Sequence, residues 1–140
     1  MTVLFDTNVV LDVLLEREPH VLPAARLFSL VDTGSIRGAI CSTTATTIYY
    51  IAAKSVGVRK AREQVRKLLG IFDIAPVNKR ILLAALDAEF SDYEDAVLHE
   101  AASAIAADAI ATRDRTGFAN ATIPALDPRE LLAFIAASAT

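Results

Sequence analysis

The chain has 140 residues, 54% of them apolar, with a single cysteine and a formal net charge of −3. That length suits one domain spanning 1–140 with a sizeable core, and the apolar content argues against disorder. The lone Cys41 excludes an internal disulfide framework and a cysteine-rich zinc site, and the acidic balance argues against broad electrostatic binding of nucleic acid while leaving room for a local basic patch.

Thr2 to Phe5 reads as a short, fully buried strand, and Asn8 to Glu16 as a helix that Pro19 interrupts. Val21 to Thr33 is a second helix, with Gly34 as its C-terminal stop. Gly38 to Cys41 is a second strand, followed by Ser42, Thr43 and Thr44, each a possible N-cap for a helix through Lys54. Gly57 breaks that helix, and Arg59 to Leu69 forms another with Val65, Leu68 and Leu69 facing inward. Ile71 to Val77 carries a third strand and Asn78 to Phe90 a helix. Ser91 or Asp92 caps the next helix, which runs to about Ala106. Ala109 to Thr112 and Ile123 to Leu126 are the fourth and fifth strands, and Pro128 opens a final helix behind Asp127 as N-cap. Strands alternating with helices predict an α/β domain, a parallel sheet covered on both faces. Apolar runs such as Ala101 to Ala107 are too short to span a bilayer, and the N-terminal stretch lacks the pattern of a secretory signal, so a cytoplasmic location is expected.

In open parallel sheets, ligands bind outside the carboxyl ends of the strands. Asp6 directly follows the first strand, Asp114 lies just beyond the fourth, and Asp95 sits in the first turn of the helix after Asp92. If strands one and four are neighbours, these carboxylates converge. Close carboxylates repel and drive one another to protonate, a problem that a divalent cation removes. Oxygen-only ligands favour Mg²⁺ or Mn²⁺ over zinc, and neither His20 nor His99 has the neighbours of a zinc site. Asp92 reads as an N-cap or as a further ligand, and Glu94 as a complement to the helix dipole or a support for a ligand. Asp12 lies nearly two helical turns beyond Asp6, too far to be assumed a ligand, and is given a structural role or one supporting a ligand. The cluster of Arg59, Lys60, Arg62, Arg66 and Lys67 reads as a solvated helix face or a phosphate-backbone contact.

The opening DTNVVLD, the helix start DYEDAVLHEAA and the strand end ATRDRTGF, together with IYYIAAK and IPALDPRELL, resemble the PIN domain, and among PIN domains the toxin nucleases of bacterial VapBC toxin–antitoxin systems. The resemblance covers the whole chain. It implies a sheet of order 3-2-1-4-5 flanked by helices, and a metal-dependent endoribonuclease whose water attack leaves a 5′-phosphate and a 3′-hydroxyl. Asp6, Asp95 and Asp114 match the acidic metal positions, Thr7 and Asn8 the loop-shaping element, and Thr112 the hydroxyl at the end of strand four. Arg113 and Arg115 flank Asp114 as phosphate contacts or as a solvent-exposed loop pair, and the resemblance strengthens an RNA-tracking role for Arg59, Arg62 and Arg66. It also implies a VapB-like antitoxin partner, for which the stretches Val21 to Val31 and Ile48 to Ala53 offer a groove or simply core, and a homodimer.

The sequence departs from the pattern at one place. Ser42 to Thr47 holds no acid where many members carry a helix glutamate, and Thr47 stands nearest that position. The fourth acid is therefore missing or supplied by Asp92 or Glu94. A PIN-like module that has lost its chemistry and only binds RNA or protein is the alternative. A receiver domain or a dehalogenase-like phosphohydrolase fails on the residues, because Asp6-Thr7-Asn8 offers one acid and no lysine follows Lys79.

Overall fold

A computed structural model describes residues 1–139. Five parallel strands lie in the order β3-β2-β1-β4-β5, the expected order. In chain order the elements are β1 (Thr2–Phe5), α1 (Thr7–Leu14), α2 (Val21–Asp32), β2 (Arg37–Cys41), α3 (Ser42–Val56), α4 (Val58–Ile71), β3 (Asp73–Ala75), α5 (Lys79–Asp87), α6 (Tyr93–Ala104), β4 (Ala109–Ala111), β5 (Ala125–Leu126) and α7 (Pro128–Ser138).

Side chains alternate across a strand, and here the alternation divides the core in two. Val3 and Phe5 of β1 face a cluster built with Val9, Val10, Leu27, Ile48, Leu68 and Leu131 from α1, α2, α3, α4 and α7. Leu4 faces the opposite cluster, built with Ile81, Ala85 and the alanine-rich face of α6. On the first face Phe5, Phe28 and Phe72 pack edge to face, with ring centroids 5.0 to 5.8 Å apart. Small residues serve the second face: Ala96, Ala101 and Ala102 are at most 1% exposed, which lets α6 lie close on β1 and β4.

The ends of several elements differ from the sequence reading for local reasons. The third strand is three residues rather than seven, because Asp73–Ala75 alone pairs with β2 and Phe72 turns into the core. The helix after β2 begins at Ser42 without a side-chain cap. The Ser42 hydroxyl accepts from the Val77 amide instead, at 3.2 Å. Leu69 does not face inward as expected: it is 47% exposed, while Leu68 is buried and Val65 packs against the core from its edge. Asp92, not Ser91, caps α6, and Asp127 with Glu130 forms a full capping box at α7. No helix among the described residues is long and apolar enough to cross a membrane.

Gly38 in β2 marks a close approach. A Cβ built there would stand 2.7 Å from the Phe72 ring and 2.8 Å from Val31 Cγ2. Gly38→Ala is expected to destabilise the fold by roughly 1–3 kcal/mol through overpacking. Urea denaturation checks it, with the slope unchanged and the midpoint lowered.

Candidate active site

The pairing of β1 with β4 sets Phe5 beside Ala111, so the next residues along, Asp6 and Thr112, meet at the carboxyl edge. The Asp6 amide donates to Ala111 O at 2.9 Å, which extends the ladder by one bond. Asp6 is also the N-cap of α1: the Thr7 amide donates to its Oδ1 at 2.7 Å. The Thr112 hydroxyl donates to Oδ2 at 2.7 Å and the Asn8 side-chain amide at 3.3 Å. Cap and site are therefore one feature, since one carboxylate starts a helix and faces the sheet edge. Burial raises the pKa of Asp6, against the Thr112 and Thr7 hydrogen bonds and Arg113, which lower it, and with the charge of Asp114, which raises it.

From the opposite face, α6 brings Asp95 to the same place. Asp92 Oδ1 accepts from the Asp95 amide at 3.0 Å, so the cap fixes the turn that carries the acid. Asp95 is pushed up to about 7, first by burial and then by the charges of Asp6, Asp92, Asp114 and Glu94. The Thr112 hydroxyl oxygen accepts from the Asp114 amide at 3.0 Å, which ties the third acid to the bond that holds the first. Gly117 closes the loop, its amide donating to Asp114 Oδ1 at 3.0 Å. A side chain at Gly117 would overlap Asp95 Oδ2 and stand 2.6 Å from Asp114 Oδ2, so a bare backbone there is what lets both carboxylates turn inward.

Asp6, Asp92, Glu94, Asp95 and Asp114 line one cleft of about 320 Å³ with Thr7, Asn8, Arg17 and Arg113. The donor set is hard oxygen throughout, and neighbouring acid charges add to burial in raising Asp6 and Asp95, which is the chemistry a divalent cation fits. Among the described residues, no three His, Cys, Asp or Glu side chains are drawn into a tight ligand group. The acids share a cleft, with room left for water.

The remaining expected residues fall elsewhere. Arg115 is 63% exposed at its side chain and pairs with Glu130 Oε2 at 3.1 Å, outside the cleft. Arg59, Arg62 and Arg66 are exposed on α4. Arg62 and Arg66 border a separate hollow with Tyr49, Tyr50, Val65 and Leu69. Thr47 is half-buried, and its hydroxyl returns to the Thr43 carbonyl at 3.2 Å, so it adds nothing to the cleft. His99 is buried against Thr122, not the acids, and the Cys41 thiol is pushed up to about 12 by burial and the Asp6 charge. Sequence reasoning missed Arg17 and Gly117. Arg17 follows the helix break and gave no periodic signal, and a glycine's role as a gap shows only in three dimensions.

A carboxyl group whose folded pKa is raised binds protons more readily folded than unfolded, so its contribution to stability falls as pH rises. For Asp95 the fall runs from its ordinary value of 3.8 to about 7, with the full penalty above that. In metal-free buffer, Asp95→Asn is expected to raise the thermal midpoint above pH 7, with the gain vanishing toward pH 4. Scanning calorimetry across pH checks both ends.

The sequence pattern of the PIN domain matches residues 2–116. No curated protein matches the chain. Among solved structures, VapBC2 from Rickettsia felis bound to a DNA fragment from its promoter is similar at a TM-score of 0.71 and 14% identity, covering 91% of this chain and 98% of that one. A toxin–antitoxin complex from Klebsiella pneumoniae is similar at 0.67 and 23%, covering 90% and 97%. VapC20 from Mycobacterium tuberculosis, a toxin that cleaves the sarcin–ricin loop, is similar at 0.66 and 12%, covering 84% and 94%. The matched span contains Asp6, Asp95, Thr112 and Asp114, and with the 3-2-1-4-5 sheet it makes this chain a member of the PIN domain family.

Proposed function

We propose that this protein is a metal-dependent endoribonuclease, the toxin of a VapBC-type toxin–antitoxin pair. The observation that carries the reading is the gathering of Asp6, Asp95 and Asp114 with Asp92 and Glu94 in one cleft at the carboxyl edge of β1 and β4. Membership of the PIN family supports it, as does the likeness to a toxin that cleaves RNA.

Asp6, Asp95 and Asp114 would hold Mg²⁺ or Mn²⁺, with Asp92 and Glu94 beside them. Such an ion polarises a phosphoryl oxygen and lowers the pKa of a bound water. The chain's own part is to hold the acids in place. The Thr112 hydroxyl, the Thr7 amide and the Asn8 amide fix both oxygens of Asp6. Arg113 reaches the cleft as a phosphate contact, and the exposed Arg59, Arg62 and Arg66 would meet the RNA backbone farther out.

For the partner, an apolar hollow of about 490 Å³ lined by Val13, Leu14, Ala25, Phe28, Leu68 and Ile71 suits an apolar segment of a VapB-like antitoxin. It takes up the α2 part of the expected groove. The Ile48 to Ala53 part contributes apolar surface at Tyr50 and Ile51, which with Val58 and Leu69 leaves a face for a homodimer. The rival, a PIN-like module without chemistry, draws on the acid-free start of α3 and the absence of a tight ligand group among the described residues.

Purified protein is expected to cut single-stranded RNA only when Mg²⁺ or Mn²⁺ is added. Losing a partner of a metal ligand costs about 10–100-fold, so Asp6→Ala and Asp95→Ala should each cost at least about 100-fold. Undiminished cleavage by either variant sinks the assignment, and RNA binding without calorimetric Mn²⁺ uptake establishes the rival. Gly117→Ala meets the carboxylates of two acids before any backbone atom, so the fold should survive with its thermal midpoint little changed, while Mn²⁺ uptake weakens.

A further inference from the structure

Asp12 is the most deeply buried acid near the cleft, at 0% exposure, yet it faces no cation site. Two arginines far apart in sequence take both its oxygens. Arg17 Nε donates to Oδ1 at 2.9 Å, and Arg113 donates through Nε to Oδ2 at 2.7 Å and through Nη2 to Oδ1 at 3.2 Å. Arg17 Nη2 also donates to the Asn8 carbonyl at 3.0 Å. The Arg113 amide donates to Asn8 Oδ1 at 3.4 Å, and Asn8 reaches Asp6. The arginines are thus fixed to the same helix start as the first acid.

One acid against two arginines leaves a net positive charge at this point. A guanidinium has five N–H donors, and each arginine spends two on these bonds, leaving three apiece. Both side chains remain partly exposed, at 38% and 31%, and both line the acidic cleft. Arg113 also lines an adjoining cavity of about 340 Å³ with Pro19, His20, Pro23 and Arg129. A neutralising role for Asp12 needs only one arginine. The second is spare cationic capacity on the wall of the cleft.

We infer that Arg17 and Arg113 form a fork that binds the RNA phosphate next to the one being cut, with the attached nucleoside directed into the cavity of Pro19, His20, Pro23 and Arg129. Asp12 is the positioning residue that locks both guanidinium groups in place. The inference rests on the nuclease reading above and deepens it. The ligand is single-stranded RNA, whose flexible backbone can leave the acids and bend across the fork.

The test uses an Asp95→Asn background, which binds RNA without cutting it, and follows a short fluorescent single-stranded RNA by anisotropy across a salt series. Adding Arg17→Gln, at a partly exposed position that folding tolerates, is expected to weaken binding about ten-fold, as the loss of a charged hydrogen bond does. The slope of log affinity against log salt should become shallower by about 0.7. Arg17→Lys should restore the slope but not the full affinity, because it keeps the charge and loses the fork. In the otherwise native chain, Asp12→Asn should raise KM for RNA with kcat nearly unchanged. Unchanged affinity and slope in a folded Arg17→Gln variant would overturn the fork, as would an Asp12→Asn variant that lowers kcat alone. Failure of the native chain to cleave RNA with metal is a separate result, and it removes the nuclease reading itself.

Discussion

The site depends on one hydrogen bond, from the Thr112 hydroxyl to Asp6 Oδ2, buried and 2.7 Å long. It joins residues 106 positions apart in sequence, and it exists because β1 and β4 are neighbours in register. A hydroxyl can donate one proton and still accept. Thr112 does both, holding Asp6 with its proton and the Asp114 amide with its oxygen. Strand pairing, helix capping and acid placement therefore meet at one side chain, and each constrains the others.

Electrostatics gives the cleft two characters. Burial, and then the charges of the neighbouring acids, push Asp95 up to about 7, which is unfavourable for the isolated chain and favourable for capturing a cation. On its other wall a buried acid is over-compensated by two arginines. Negative and positive walls share one opening, which is the charge pattern wanted by a ligand made of phosphate and metal together. The small net charge of the whole chain hides this, because total charge averages over surfaces that act separately.

Much of the fold was legible because it is written in local signals. β1 was found to the residue, since an apolar run bounded by Asp6 leaves little choice. The α7 cap was found because Pro128 after Asp127 is a strong signal. β3 is shorter than the apolar run suggests because Phe72 and Val77 look like strand residues, whereas each packs against a core outside the strand ladder. The meeting of Asp6, Asp95 and Asp114 in one cleft is legible once strands one and four are neighbours, and Asp12 is bound by two arginines. Its arginine partners were not legible, since Arg113 was read as a phosphate contact and Arg17 was passed over. A pairing across 101 residues leaves no trace in spacing.

The family pattern ends at residue 116, but the structure does not loosen there. β5 pairs with β4, and the Thr112 amide donates to the Leu126 carbonyl at 2.9 Å. Phe118 and Leu131 each fill part of a core. The last stretch thus steadies the site through its backbone and its bulk, beside the contacts that Gly117, Arg129 and Glu130 make at its edges. Shortening that stretch would strip the Leu126 carbonyl from the Thr112 amide, so the path of the chain after residue 116 bears on the first acid as directly as the strand that carries it.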